Sequence, residues 1–562
     1  MLGGGRISPM FRRGGEVIDP DALLYFDEAG SALTSTFRSA INWGFTDLKA
    51  TGNYSKISFM FWGGGPDQIL STANFVNPAH KLTEEITSGW ESGLWWQGDG
   101  ARYLDLLWNP VDDGGGVVSQ NNLGITLLTM QGGLYEAKTV FGAADTGSDI
   151  TVVQFNTNKT LWYVNSAASV EGTITRTSGI NTGYRVDGTN ISMYYEGLAN
   201  GTSAAASAAA AQYDWYALGG NSGGSLVSPS TNKLTCIIGH SGDADVSALH
   251  ETINGIIARL NGGYITTPLN LAISGMNPMD SCFYGNLTGS LMVVCGGYDP
   301  LDVDQASNNV WTTPDGVTFT QRTDMPFKLA HALGGVRNDG YLWLWATTQT
   351  GDLVCIKMNP ADYSWTTVNA DLGGVGEDLE GFVFCQWGFT IGDVMYAAVY
   401  NSVDTSDVQI WSSVDGDSWT YVSDFPADGH AINCGWYVDG TTVRVAGGCL
   451  VSGANTSDYV ENIYESTDLC QTWQLVRSLP ASLQSAWPVF FKFNGQEFYS
   501  PGRKTTATIY EGGVYRWTGS EWLNTLMSNL SGRHAVATTQ FNNEQYFING
   551  FLYNDCHKLT TI

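Results

Sequence analysis

Before Gly52 the apolar residues of this chain recur at helical spacing, and after it they alternate with polar ones at a period of two. Phe37, Ile41, Phe45 and Leu48 lie on one helical face, which predicts a helix over Thr34–Ala50. Asp19–Ala29 reads as a short amphipathic helix with acidic residues near its start and Gly30 to end it. Residues 1–18 carry Gly and Arg without periodicity and read as an extended arm. Strands are expected at Ile57–Trp62, Tyr103–Trp108, Gly124–Met130, Thr151–Phe155, Leu161–Val164 and Ile191–Tyr195, divided by Gly, Asn, Asp and Ser turns. Ser203–Ala211 reads as a small-residue loop. Lys233–Gly239 is then expected as a strand running into a helix over Ser241–Leu260. This order predicts an antiparallel sandwich flanked by helices at its two ends.

A repeat governs the rest of the chain. Phe319, Trp365, Trp419, Trp473 and Trp522 recur 46, 54, 54 and 49 residues apart. Three of them close similar loops: Thr313-Pro-Asp315-Gly-Val-Thr-Phe319, Ser413-Val-Asp415-Gly-Asp-Ser-Trp419 and Ser466-Thr-Asp468-Leu-Cys-Gln-Thr-Trp473. Units of this length cannot bury their own apolar faces and must stack on neighbours. They start near Cys282, His331, Phe382, His430, Ala486 and His534, and the last has room for only three strands. Ile265–Ile273 can supply the missing outer strand. The expected fold class is therefore all-β: a helix-flanked sandwich over 19–262, then a six-bladed β-propeller over 263–562 closed by strand exchange, with no open edge.

Composition narrows the function. A formal charge of −28 disfavours nucleic acid and anionic lipid, and no apolar run reaches the length of a membrane span. The cysteines number nine, show no CxxC pair, and several sit in apolar strand runs, as Cys295 does. Buried free thiols and folding in a reducing compartment are expected. The N-terminal stretch MLGGGRISPMFRRGGE has no apolar core of a signal peptide.

Two resemblances follow from these residues. The acidic helix ending in Ala-Gly, the FRSAINWGFTDLKATG helix, Tyr54-Ser-Lys-Ile, Tyr194-Tyr-Glu-Gly197 and the Asp243-Ala-Asp-Val-Ser-Ala-Leu helix together resemble the concanavalin-A-like (laminin-G-like) jelly roll of bacteriophage tail and virion proteins. Glu196 stands where that family usually has Asn, so no ligand role carries over to the turn. The three loops resemble the Asp-box of sialidase-type propellers. Two are one residue short, and the third has Cys470 where Gly is usual. In such loops Asp accepts backbone N–H bonds and the ring packs between strands, which makes Asp315, Phe319, Asp415, Trp419, Asp468 and Trp473 architectural.

Sialidase chemistry, as the resemblance implies it, needs three arginines, a Tyr–Glu pair and an Asp. Arg337, Arg444, Arg503 and Arg533 are candidates, yet no Arg-Ile-Pro-like triplet precedes the first box. Glu377, Asp378 and Glu380 are candidates for a two-carboxylate glycosidase. Residues at the starts of the inner strands form a different set: Asp280, Ser281, His331, Asp378, Glu380, His430, Trp487, Arg533 and His534. Rings and polar groups around a shallow axial depression suit saccharide binding, although the histidines can equally bridge neighbouring units. Asp299, Asp302 and Asp304 are a candidate Ca²⁺ site without EF-hand spacing. No zinc spacing, P-loop, dinucleotide fingerprint or G-x-S-x-G elbow is present.

The resemblances imply a phage virion protein, a tail fibre or receptor-binding protein that recognises a host surface glycan. Its arm would contact other virion proteins, and it would be assembled in the host cytoplasm. No heptad or collagen-like repeat enforces a homo-oligomer. A glycan-degrading enzyme on a tail spike and a capsid or tail decoration protein are the alternatives.

Overall fold

The computed structural model describes the chain except residues 1–10, 14–15, 30, 67, 79, 85–89, 92–93, 98–100, 102, 131–137, 145–149, 157–158, 167, 173–178, 209–211, 219, 223–224, 228–231, 271–272, 274–282, 288–291, 297–306, 375–376, 381, 402–407, 427–433, 450–458, 487, 503–512, 526, 528–536, 542–543, 551–552 and 562. The protein is mostly β, with few helices and many small sheets. It divides into two compact units, one of Met1–Ile265 with Thr525–Asn529 and Thr561–Ile562, the other of Thr266–Asn524 with Leu530–Thr560.

In the first unit a nine-stranded and an eight-stranded sheet pack face to face. Phe59, Phe61, Trp96, Ile125 and Leu127 of the eight-stranded sheet share one core with Phe141, Trp162 and Val164 of the other. The opposite face of the eight-stranded sheet carries Met60, Trp62, Leu128, Ile180, Cys236 and Ile238. Helices from both ends of this stretch of sequence cover that face: α1 (Pro20–Phe26), α2 (Ser35–Ala50) and α4 (Val246–Leu260), with the single-turn α3 (Gln68–Ser71) beside them. With both faces covered, the strands Leu123–Met130 and Lys233–His240 are buried along almost their whole length. α2 and α4 touch where side chains are missing. A Cβ on Gly44 would lie 2.6 Å from Ile256, and one on Gly255 would lie 2.1 Å from Trp43.

Local chemistry sets the element ends. Asp19 caps α1 by accepting the Asp21 N–H at 2.9 Å, with Pro20 in the first turn. Thr34 caps α2 through the Phe37 N–H. The helix expected from Ser241 begins at Val246, because Asp245 accepts the Ala248 N–H at 3.1 Å and caps there. The strand expected over Tyr103–Trp108 shrinks to Leu104–Asp105. Asp105 takes the Leu107 N–H at 2.9 Å, and Leu107 turns left-handed at φ 49°. Part of the segment read as an extended arm pairs with itself, Phe11–Arg13 against Glu16–Ile18. Strand Leu198–Ala204 extends into the stretch read as a loop.

From Tyr264 onward the described residues form six four-stranded sheets. In chain order their inner strands are Phe283–Asn286, Leu329–Val336, Phe382–Ile391, Gly435–Asp439, Val489–Phe493 and Ala537–Phe541. The first five sheets follow sequence order outward. The sixth is completed by Tyr264–Asn270, hydrogen-bonded outside Tyr553–Thr561, the last strand of the chain. Among the described residues no helix is long and apolar enough to cross a membrane.

Candidate functional site

The three boxed loops are closed by their own hydrogen bonds. Thr313 Oγ1 accepts the Gly316 N–H at 2.8 Å, while Asp315 Oδ1 accepts those of Val317 and Thr318 at 2.8 and 2.9 Å. Ser413 and Asp415 repeat this with Gly416, Asp417 and Ser418. In the longer third loop Ser466 accepts from Cys470 N–H at 2.9 Å, and Asp468 takes both the N–H and the hydroxyl of Thr472. Burial opposes ionisation of Asp315, but the Thr318 and Val317 N–H groups outweigh it and hold the carboxyl below its usual range. Asp415 is held down chiefly by the Ser418 N–H, and Asp468 by the Thr472 hydroxyl. Gly316 and Gly416 supply the left-handed turn at φ 73° and 80°; Leu469 and Cys470 adopt it at 61° and 66° with side chains present.

Each of the five repeated aromatics reaches a second sheet or its edge. The Trp419 ring lies 6.1 Å from Trp345 of the second sheet, and Trp473 meets Trp387 of the third edge-on at 5.9 Å. Trp365 donates its indole N–H to the Thr323 carbonyl, just past the last strand of the first sheet, at 3.2 Å. Trp522 lies 5.3 Å from the Arg477 guanidinium of the fourth sheet. Phe319, on the first sheet, packs with Tyr546, Ile548 and Cys556 of the sixth. The fifth and sixth meet through Phe491 and Phe547, whose rings are 5.1 Å apart.

Of the residues expected around an axial depression, three lie among the described residues. His331 lies in the second sheet's inner strand opposite Thr347. Glu380 is exposed in the turn ahead of Phe382, its N–H donating to the Glu377 carbonyl at 3.2 Å. Asp378, two residues earlier, serves the box instead, because its Oδ2 accepts the Trp419 backbone N–H at 2.8 Å. Asp280, Ser281, His430, Trp487, Arg533 and His534 lie outside the described residues, as do Asp299, Asp302 and Asp304 of the candidate Ca²⁺ site. Among the described residues no group of three or more His, Cys, Asp or Glu is placed to hold a metal.

The candidate arginines separate in the same way. Arg503 and Arg533 lie outside the described residues. Arg337 stacks over Trp343 at 4.4 Å, an indole it shares with Lys357 at 4.8 Å. Arg444 joins a network that sequence reasoning missed. Its Nε donates to Glu465 at 2.6 Å, and it also pairs with Glu497. Glu497 in turn binds Arg477 and accepts the Tyr437 hydroxyl at 2.5 Å. Tyr437, Arg444 and Glu465 are cross-strand neighbours in the fourth sheet, and Glu497 reaches them from the fifth. Burial alone would raise Glu497, but the Tyr437 hydroxyl and two guanidinium groups hold it below the carboxylate range. Burial, followed by the Glu497 charge, pushes the Tyr437 hydroxyl up. A Tyr–Glu pair with two arginines is thus present, but it closes on itself as a pin between sheets. The row Tyr437–Arg444–Glu465 is readable from strand alternation, whereas Arg477 and Glu497 carry no sequence signal of it.

No family profile matches the chain, and no curated protein matches it. Among solved structures it is similar to the NanB sialidase from Streptococcus pneumoniae, with a TM-score of 0.42 at 9% identity over 81% of this chain and 97% of that one. It is similar to a leech intramolecular trans-sialidase with a TM-score of 0.39 at 10% identity, over 86% and 97% of the two chains. The YjhT structure scores 0.38 at 12% identity over 51% of this chain and 96% of that one. At these scores and identities the likenesses assign no activity to the chain.

Proposed function

We propose that residues 263–562 form a six-bladed β-propeller closed by strand exchange and that residues 19–262 form a concanavalin-A-like jelly roll after an N-terminal arm, 1–18. The protein is then a bacteriophage virion protein, a tail fibre or receptor-binding protein that recognises a host surface glycan. The propeller reading is supported by the cycle of contacts through Phe319 and Phe491, and by the position of Tyr264–Asn270 outside the last strands. Recognition is favoured over hydrolysis by one observation. Of the candidate trio Asp378 is bonded to the Trp419 N–H while Glu377 and Glu380 are exposed, and Glu465 and Glu497, the acids beside the candidate Arg444, are bonded to Arg444 and Arg477. The starts of the inner strands, with His331, Glu380, His430, Trp487, Arg533 and His534, are the surface assigned to the sugar.

A glycan array with the full chain and the His331→Ala and Trp487→Ala variants, run beside a fluorogenic glycoside assay, tests this. Binding that falls in both variants without turnover supports the reading, and unchanged binding in both removes the rim from it. Turnover favours the enzyme on a tail spike. Whether a chain lacking residues 1–18 still sediments with particles tests the arm and the virion location.

A further inference from the structure

Two histidines in the first unit are fully buried: His240, at the end of strand Lys233–His240, and His250, on α4. Two threonines connect them across the helix-facing side of the eight-stranded sheet. His240 Nε2 is 3.1 Å from Thr126 Oγ1, Thr126 is 2.6 Å from Thr182 Oγ1, and Thr182 is 2.7 Å from His250 Nε2. The two ends determine every proton. His240 Nδ1 is 2.8 Å from the Ser241 carbonyl, which only accepts, so Nδ1 carries the hydrogen and Nε2 accepts from Thr126. His250 Nδ1 accepts the Gly197 N–H at 2.6 Å, so its Nε2 donates to Thr182. Thr182 then donates to Thr126, and Thr126 to His240. Both rings are neutral, and the chain runs in one direction only. Gly124 makes room for it, since a Cβ there would lie 2.1 Å from the His240 ring.

We infer that this chain is an acid-sensitive latch holding α4 and the Gly197 turn against the sheet. A proton added to His250 Nδ1 faces the Gly197 N–H. One added to His240 Nε2 removes the acceptor of the Thr126 hydroxyl hydrogen, which must turn away from the ring and break the one-way chain at that end. Charged side chains flank this hydrogen-bonded chain. Asp243, ahead of α4, pairs with Lys56 and Ser241; Asp47 of α2 accepts from Thr252; and Glu196, in the turn of the neighbouring strands, accepts the Ile180 N–H. Arg185 of the Gly179–Arg185 strand donates to the carbonyls of Val164, Asp187 and Ala205, while Glu251 follows His250 on α4 itself. The Asp243 charge favours the protonated form of His240, but burial outweighs it. Burial lowers His240 to about 4 and His250 to about 3, the latter helped by the His240 charge. The unfolded rings take protons near pH ~6.5. The latch is therefore complete above that pH and weakens as pH falls toward the folded values, about tenfold in the opening constant per pH unit for each histidine.

Hydrogen exchange of the full chain, corrected for intrinsic rate, tests this at pH 7 and pH 5.5. Protection of Val246–Leu260 and of the turn at Gly197 is expected to fall about 10- to 100-fold, while strand Val394–Asn401 keeps its protection. His250→Asn is expected to flatten the dependence. If that variant does not fold, histidine-labelled NMR on the native chain decides: His240 and His250 should not titrate above pH 5 while α4 stays protected. Equal protection of α4 at both pH values, or normal titration of either ring with α4 intact, overturns the latch.

Discussion

Asp378 Oδ2 accepts the backbone N–H of Trp419 at 2.8 Å, so an acid from the connection ahead of the third sheet holds the box of that same sheet. In sequence Asp378 is one of three acids in a short turn and reads as a catalytic candidate. In the fold it anchors the loop whose indole packs on Trp345.

Asp378→Ala is accordingly expected to lower stability by about 1 kcal/mol, since the bond is charge-assisted but the side chain is exposed. Glycan binding should be unchanged. Denaturant unfolding beside the array measures both, and lost binding at unchanged stability would count against the structural role.

Glu497→Ala should be the costliest single change at the fourth and fifth sheets, about 3–5 kcal/mol, because it removes the carboxylate partner of Arg477 and one of the two that Arg444 holds in a largely buried site. The group also carries a pH signature. Its folded pKa is depressed, so its contribution is present above the ordinary carboxylate range and is lost as pH falls through the folded value. Urea midpoints between pH 7 and pH 3 should therefore converge for the native chain and Glu497→Gln at the acid end.

Two glycines with the same backbone handedness separate strain from crowding. Gly416 has φ 80°, and an added Cβ would lie 2.5 Å from the buried Cys355 sulfur; Gly440 has φ 63° and nothing within 4 Å. Gly440→Ala is expected to cost about 1 kcal/mol from the left-handed backbone alone. Gly416→Ala should cost clearly more, and equal shifts in melting temperature would refute the packing of the box on the second sheet.

The described cysteines Cys236, Cys295, Cys355, Cys434, Cys449, Cys470 and Cys556 are buried thiols. Burial pushes the Cys355 and Cys470 thiols up to about 12. Alkylation of the native chain at pH 8, read by mass spectrometry, should leave both unmodified until denaturant is added. Rapid labelling of Cys470 would mean that the third box opens readily.

Strand positions were legible because alternation is a local property. Ile57–Trp62 lies where the apolar pattern puts it, and α2 begins one residue past its cap, Thr34. The boxes were legible for the same reason, since Asp315 and Asp415 bond to N–H groups two and three residues away. Where a side chain competed locally with the ladder, as Asp105 does, alternation over-extended the strand. The candidate rim was read from position within each unit, and of it only His331, Asp378 and Glu380 lie among the described residues.

Read alone, the order of residues already specifies which stretches become strands, which loops close on themselves, and where the aromatic wedges recur. It does not specify partners across sheets. Period-two alternation tells which side of a strand a residue faces, but not which other sheet meets that side. Glu497 finds Arg444 from 53 residues away and His250 finds Thr182 from 68. Those meetings, and with them the division of the acids into structural and available ones, exist only once the sheets are stacked, because burial and charge pairing are set by neighbours that the chain brings in from afar.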